Sequence, residues 1–116
     1  MKKLLAAALL VSSPALAADY VCKGDSVEKG GSTQYKVRTS GSEYTIEKGG
    51  STKGKAVNRS GKYYVEVGGS TVATIESGKI YKGGSTWASV SDAQRMFDCP
   101  DTVAATLWVL TQTGKL

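Results

Sequence analysis

The chain of 116 residues contains no histidine, only two cysteines and a single phenylalanine. The absence of histidine removes the most frequent general base, the serine triads that depend on it and most catalytic zinc sites. Two cysteines without histidine also leave too few ligands for a structural zinc site. We therefore expect no metal, no cofactor and no catalytic residue.

Carboxylates are the remaining means of catalysis, and several lie around Cys99. Asp98 and Asp101 could serve a small hydrolase, because paired carboxylates cleave glycosidic bonds when one of them is held protonated. Asp92 and Asp101, however, stand at the starts of two predicted helices, where acids cap backbone N–H groups and complement the helix dipole. The structural role is favoured, and the sequence predicts a protein that is not an enzyme.

Long apolar runs are also missing, apart from a short one near the start. Met1–Lys3 is positively charged and is followed by an apolar run and by small residues up to Ala18, as in a secretory signal peptide. A membrane anchor would need ~20 apolar residues. We expect cleavage after Ala17, or after Ala18, which defines residues 1–17 as the signal peptide. Residues 18–116 then form one small domain without an integral membrane segment, periplasmic or secreted, most naturally in a Gram-negative bacterium.

The two cysteines fit this compartment. Cys22 and Cys99 lie near the two ends of the mature chain. A domain of about a hundred residues has a modest core that often benefits from a covalent link. We expect these residues to form a disulfide in an oxidising environment.

Charge of neither sign dominates the mature chain. The whole chain carries +5, but Lys2 and Lys3 leave with the signal peptide, so 13 Lys and Arg face 10 acids. The cations alternate with glutamates and do not gather into a basic patch. We expect no nucleic-acid partner.

Glycine, in contrast, is frequent and regularly placed. Gly-Gly-Ser-Thr begins at residues 30, 49, 68 and 83, and Ser-Gly occurs between these sites at residues 40, 60 and 77. Gly-Gly suits the positive φ angles of tight hairpin turns, and Ser-Gly can serve similarly. This spacing indicates an all-β meander with turn signals of two alternating kinds.

Between the turn signals, apolar and charged residues alternate as in half-buried strands. Eight antiparallel strands are predicted near 26–29, 34–39, 43–48, 53–59, 62–67, 71–76, 79–82 and 86–90. The inward side chains are expected to be Val27, Tyr35, Val37, Tyr44, Ile46, Val57 or Ala56, Tyr63, Val65, Val67, Ala73, Ile75 and Ile80. The fold predicted is mainly β: an eight-stranded antiparallel up-and-down meander forming a small barrel, fully or incompletely closed.

One or two C-terminal helices follow, within about 91–113. Ser91-Asp92 is expected to cap the first helix, and Gly114 to end the second. Val103, Leu107 and Leu110 form an apolar stripe on the second helix. We expect this stripe to pack over an open end or a face of the meander.

The four Gly-Gly-Ser-Thr loops are expected at one rim, because a meander returns there after each pair of strands. Their hydroxyl residues and nearby lysines are Ser32, Thr33, Ser51, Thr52, Ser70, Thr71, Ser85 and Thr86, with Lys29, Lys48, Lys53 and Lys82. Such a rim is polar and mildly basic and could contact an anionic partner or a glycan. Turn formation is the simpler interpretation, since a phosphate-binding P-loop has a longer glycine frame and opens a helix.

Two Ser-Gly-x-x-Tyr segments, at residues 40–44 and 60–64, accompany a start of Tyr20-Val21-Cys22. In these features the chain resembles, in outline, the periplasmic inhibitors of c-type lysozyme. The resemblance implies an eight-stranded barrel with a loop that enters the lysozyme cleft. It places Ser40 and Tyr44, or Ser60 and Tyr64, at the contact. The C-terminal helix departs from that pattern, and a net positive charge would repel a basic lysozyme.

Together these observations predict a non-catalytic exported binding or envelope protein, monomeric, whose partner is a protein or a cell-wall glycan. Inhibition of a lysozyme-type cell-wall hydrolase is the narrower alternative. A small hydrolase using Asp98 and Asp101 is the alternative from another class. A self-assembling surface protein would require unpaired first and last strands.

Overall fold

The structure, a computed structural model, describes residues 18–116. The predicted signal peptide, residues 1–17, lies outside the described residues. The described chain forms ten strands and two helices. The strands are β1 (Tyr20–Lys23), β2 (Ser26–Lys29), β3 (Ser32–Ser40), β4 (Glu43–Lys48), β5 (Ser51–Arg59), β6 (Lys62–Val67), β7 (Ser70–Glu76), β8 (Lys79–Lys82), β9 (Ser85–Ser89) and β10 (Phe97–Asp98). The helices are α1 (Val90–Gln94) and α2 (Asp101–Gln112).

All ten strands belong to one sheet in the order β10-β1-β2-β3-β4-β5-β6-β7-β8-β9. Strands β1 to β9 follow one another as antiparallel neighbours, and β10 pairs with β1 in parallel. The mainly β class, the antiparallel meander and the two C-terminal helices are confirmed. The sheet has ten strands, not eight, and it is open. The chain leaves β9 through α1 and returns as β10, which takes the margin of β1 that a closed barrel would pair with β9.

Each of the eight hairpins has a two-residue turn, and the turns lie at two opposite ends of the sheet. The four Gly-Gly turns connect β2–β3, β4–β5, β6–β7 and β8–β9 at what we call the Gly-Gly end. In each of them φ lies near 60° at the first glycine and near 85° at the second, as in a type I′ turn. The opposite end, called the Ser-Gly end, carries the turns Gly24-Asp25, Gly41-Ser42, Ser60-Gly61 and Ser77-Gly78.

A β-bulge follows every Gly-Gly turn, and the sequence analysis did not predict it. In each case the register shifts so that one residue of the returning strand has no partner. That residue comes directly after Gly-Gly-Ser-Thr in all four repeats: Gln34, Lys53, Val72 and Trp87. A bulge bends its strand and increases the local twist. The repeat therefore determines sheet curvature as well as chain reversal.

Helix α2 packs on one face of the sheet, called the helix face; the other is called the open face. The predicted inward residues lie on the helix face, where Val27, Tyr35, Val37, Ile46, Ala56, Val65, Ala73, Ile75 and Ile80 are buried and Tyr44, Tyr63 and Val67 are half-buried. Leu107 and Leu110 of α2 are fully buried against them. The predicted packing of the helix over a face of the meander is confirmed.

Val57 is also buried, but on the open face, because it pairs with Glu43 and with Tyr64. Of the two alternatives predicted at this point, Ala56 is thus the residue that belongs to the helix-face core.

The ends of the helices are set by local hydrogen bonds. Ser89, not Ser91, is the N-cap of α1: its hydroxyl accepts from the Asp92 amide, and the Asp92 carboxylate accepts from the Ser89 amide. After α2, Gly114 adopts φ 76°, and the amide of Lys115 donates to the Leu110 carbonyl at 2.8 Å. This is a Schellman ending. The prediction that Gly114 ends the helix is confirmed.

The disulfide between Cys22 and Cys99 is confirmed, with a Cα–Cα distance of 5.0 Å. It joins β1 to the segment between β10 and α2, and so holds the start of α2 against the first strand. Among residues 18–116, no helix is both long and apolar enough to cross a membrane.

Candidate functional site

The Ser-Gly end carries both segments that the lysozyme-inhibitor resemblance points to, but it presents them differently. In the first segment Ser40 ends β3 and the turn is Gly41-Ser42. In the second segment Ser60 is itself the first turn residue, with φ 56°. The two segments are therefore offset by one residue relative to their hairpins.

This offset sends the two tyrosines to opposite faces, because side chains alternate along a strand. Tyr44 pairs with Ala56 on the helix face, whereas Tyr64 pairs with Val57 on the open face. Ser40 and Ser60 are both exposed at the Ser-Gly end. Ser40 pairs with Glu43, which in turn pairs with Val57, so Ser40 is on the side of the open face and only Tyr44 of the first segment reaches the helix face.

A cleft of about 270 Å³ opens at the Ser-Gly end beside Tyr44. Its wall combines the sheet, the disulfide and the start of α2, with the lining residues Cys22, Gly24, Asp25, Val37, Thr39, Tyr44, Pro100 and Val103. Val37, Pro100 and Val103 supply apolar surface, and Asp25, Thr39 and Tyr44 supply polar groups. Such a mixture of apolar wall and few polar groups is typical of small binding sites.

Tyr44 is held in place by a second tyrosine. Its ring centroid lies 5.9 Å from that of Tyr63. Burial, with the neighbouring Tyr63, raises the pKa of Tyr44. The Tyr44 phenol is therefore neutral at physiological pH and can both donate and accept a hydrogen bond in the cleft.

Tyr64 has a different environment. The guanidinium of Arg59 lies 5.2 Å from the Tyr64 ring centroid, and the Lys62 ammonium lies 6.0 Å from it. Arg59 also forms an ion pair with Glu66, at 3.0 Å. The Tyr64 ring is thus covered by cations of its own hairpin and is a poor candidate for contact with a partner.

The Gly-Gly end gathers the four repeated loops, as the meander predicts. Their hydroxyl residues are all exposed: Ser32, Thr33, Ser51, Thr52, Ser70, Thr71, Ser85 and Thr86. A second concavity of about 300 Å³ lies between β7 and β8 near this end, lined in part by Thr74 and Tyr81. Among the residues that the structure describes, no charged side chain lines this concavity.

The aspartates considered for hydrolysis have separate structural partners. Asp92 belongs to the cap of α1, and its hydrogen bonds from Ser89 lower its pKa. The Asp101 carboxylate does not cap a backbone amide of α2; it accepts from Gln94 Nε2 at 2.9 Å. Asp98 is exposed on β10. Neither of the two concavities described above is lined by any of them.

Comparison of the chain with protein-family models, with curated proteins and with solved structures finds no match. Functional inference therefore rests on the residues themselves. Within residues 18–116, no group of three or more Cys, Asp or Glu side chains is arranged to hold a metal ion.

Sequence reasoning found Tyr44 and Cys22 but not the cleft between them. Thr39, Pro100 and Val103 come from two segments more than 60 residues apart in the chain. The cysteine pair was the one signal that could have brought these segments together, since it ties the start of α2 to β1.

Proposed function

We propose that the chain is a non-catalytic, exported binding protein whose macromolecular partner, a protein or a cell-wall glycan, docks at the Ser-Gly end. The observation that supports this most is the cleft that places Tyr44 beside the exposed Gly41-Ser42 turn. Tyrosine is favoured in recognition because it offers apolar area and a hydrogen-bonding hydroxyl in a side chain with few rotatable bonds.

The cleft suits a single inserted group better than an extended chain. About 270 Å³ accommodates one side chain or one sugar ring, with Val37 and Val103 against its apolar surface. Thr39 and Tyr44 are then available for its hydroxyl or amide groups. The exposed turns on either side would meet the surrounding surface of the partner.

The open face supports docking less well. Its cations are largely paired with acids, including Arg38 with Glu47 at 2.7 Å and Arg59 with Glu66 at 3.0 Å. Displacing such pairs costs desolvation and side-chain order, which a partner would have to compensate.

The test is an affinity capture from periplasmic extract and from purified wall fragments, using the oxidised domain 18–116. Thr39 is exposed at the cleft, so Thr39→Arg should obstruct it without removing a core contact. The matched control is Thr33→Arg, which makes the same change at an exposed residue of the Gly-Gly end. We expect a partner retained by the wild-type domain and by Thr33→Arg but reduced at least tenfold with Thr39→Arg. Equal retention by all three proteins would place the contact elsewhere.

Inhibition of a lysozyme-type cell-wall hydrolase is a second candidate for the same site. It is favoured by the position of Ser40 and Tyr44 at the Ser-Gly end, one on the rim and one in the cleft. Only this segment, and not residues 60–64, could then act as the inserting element. Purified domain at micromolar concentration should slow lysozyme digestion of bacterial walls, and Thr39→Arg should abolish the effect. Undiminished digestion would exclude this candidate and leave the broader binding proposal to the capture experiment.

A further inference from the structure

Charges are distributed unequally between the two ends and faces of the sheet. Six cations of the open face each lie within 4.0 Å of an acid: Lys23, Lys36, Arg38, Lys55, Arg59 and Lys62. Within the described residues, no acid lies within 4.0 Å of Lys29, Lys48, Lys53 or Lys82. These four lysines all flank the Gly-Gly turns. Lys79 and Lys115 also have no acid within 4.0 Å in the described part of the chain, so the Gly-Gly end holds four of the six cations without such a neighbour.

Three of these lysines occupy one repeated position, the residue directly before Gly-Gly, and contact an aromatic ring. The ammonium of Lys29 lies 5.3 Å from the Tyr20 ring centroid, that of Lys48 lies 5.9 Å from Tyr35, and that of Lys82 lies 4.7 Å from Trp87. The third repeat along the chain has Val67 at this position, and Val67 packs on the helix-face core. Cation–π contacts of this length bias each ammonium group towards its ring.

The three lysines form a row. They end β2, β4 and β8, so an interstrand spacing of about 4.8 Å places their strands about 10 Å and about 19 Å apart. Lys53, the bulge residue of β5, lies beside this row near the same end. Next to it stand the exposed hydroxyl residues of the four loops.

We propose that this lysine row, Lys29, Lys48 and Lys82, is a second binding site that takes a linear acidic glycan. Ammonium groups biased towards these positions pair with its carboxylates or other anionic substituents at a reduced cost in side-chain entropy. The Ser and Thr hydroxyls of the loops meet its sugar hydroxyls. The site is independent of the Ser-Gly end and of the function proposed for it.

A glycan fits this row better than a lipid surface or nucleic acid. The turns that would touch a membrane are Gly-Gly-Ser-Thr, with no apolar side chain to enter the interface. The row contains lysine only, whereas Arg38, Arg59 and Arg95 are all engaged with acids elsewhere. It therefore lacks the planar guanidinium groups that favour phosphate recognition.

The experiment measures binding of the oxidised domain 18–116 to polygalacturonate, a linear glycan with one carboxylate per sugar, by calorimetry at several salt concentrations. Neutral dextran, phosphatidylglycerol vesicles and duplex DNA are the comparison probes. The test variant is K29Q/K48Q/K82Q, in which glutamine keeps part of each stem over its ring. The control variant is K23Q/K36Q/K55Q, which changes the net charge equally on the open face.

We expect the wild-type domain to bind polygalacturonate and not dextran, with affinity that falls as salt rises. The row variant should bind at least tenfold more weakly and with a shallower salt dependence, whereas the open-face variant stays within about threefold of wild type. The variant K29R/K48R/K82R, which keeps the positive charges, should bind about as well as wild type. Thr39→Arg should leave this affinity unchanged, which separates failure here from failure at the Ser-Gly end.

Trp fluorescence supplies an independent signal, because Trp87 contacts Lys82. Polygalacturonate should change the emission of the wild-type domain but not that of K82Q. If the triple variant unfolds, the proposal is tested with the single variants K29Q, K48Q and K82Q. Each of these should weaken binding two- to threefold. Equal losses in the row and open-face variants, or binding to vesicles or DNA in preference to the glycan, would overturn the proposal.

Discussion

Leu110 of α2 lies so close to β5 that a β-carbon on Gly54 would come within 2.6 Å of Leu110 Cδ2. The added β-carbon would also lie 3.2 Å from the carbonyl oxygen of Glu66. Gly54 does not serve a turn, since its φ is not positive; it lies in β5 where Leu110 of the helix packs against the strand. The position of α2 on the helix face therefore depends on this contact.

Gly54→Ala should destabilise the domain by about 1–3 kcal/mol, because Leu110 is fully buried and has little space in which to move. Urea unfolding of the two proteins measures the difference. A double-mutant cycle gives the control. Leu110→Ala alone opens a cavity and costs about 2–4 kcal/mol. In the double variant the methyl group added by Gly54→Ala fills part of this cavity, so the double variant should cost less than the sum of the two single costs. Strictly additive costs would contradict the close approach of α2 to β5.

The disulfide should contribute about 4 kcal/mol to the free energy of unfolding. Cys22 and Cys99 are 77 residues apart, and closing so long a loop greatly reduces the entropy of the unfolded chain. Comparing urea unfolding of the wild-type domain with that of C22S/C99S, both under oxidising conditions, measures the contribution. A loss below about 1 kcal/mol would show that the link does not hold β1 and the start of α2 together in the way described.

Tyr35 should make the domain sensitive to alkaline pH. Burial, together with the hydrogen bond to Tyr20, raises the pKa of Tyr35 from its ordinary 10.0 to about 12. Between these values the unfolded chain releases the proton and the folded chain keeps it, so this contribution is complete below pH 10 and is lost as pH rises towards 12. The free energy of unfolding should fall between pH 8 and pH 11.5 in both proteins, but by about 2 kcal/mol less in Tyr35→Phe than in wild type. Parallel falls would contradict the burial of the phenol.

Removing the capping-box serine at the start of α1 should lower the stability of the domain more than removing another serine of the same strand. Ser89→Ala removes the oxygen that accepts from the Asp92 amide at 3.1 Å, and a lost N-cap costs about 1 kcal/mol. Ser85→Ala, at an exposed position of the same strand, should change stability by less than about 0.5 kcal/mol. Thermal unfolding of both variants tests the difference, and equal effects would mean that the cap does not stabilise the helix.

Strand positions and inward residues could be predicted from the sequence because turn signals and period-2 alternation are local. Residues such as Ile46 and Val65 lie where alternation puts them. The openness of the sheet could not be predicted, since it depends on β10, two residues whose pairing with β1 is fixed by tertiary contacts. The bulges were missed because Gln34 and Trp87 share a position in the repeat but no chemistry.

The candidate site was harder to predict than the fold. Tyr44 and Tyr64 share a motif in the sequence, and only the turn register shows that they face opposite sides of the sheet. A shift of one residue, invisible to motif matching, reverses the face of every side chain. The charge on the Gly-Gly end was underestimated for a related reason. Net charge is modest, but the acids pair with cations of the open face, and within residues 18–116 none lies within 4.0 Å of Lys29, Lys48 or Lys82.

Docking at the Ser-Gly end is tested most directly by site-specific photocrosslinking of the domain in the cell-envelope fraction of its own organism. A benzophenone side chain at Ser42, in the turn beside the cleft, is compared with one at Thr45, which pairs with Lys55 on the open face. Docking at this end should give a discrete adduct from position 42 that disappears with Thr39→Arg, and none from position 45. Adducts from position 45 alone, or an adduct from position 42 that persists with Thr39→Arg, would contradict it.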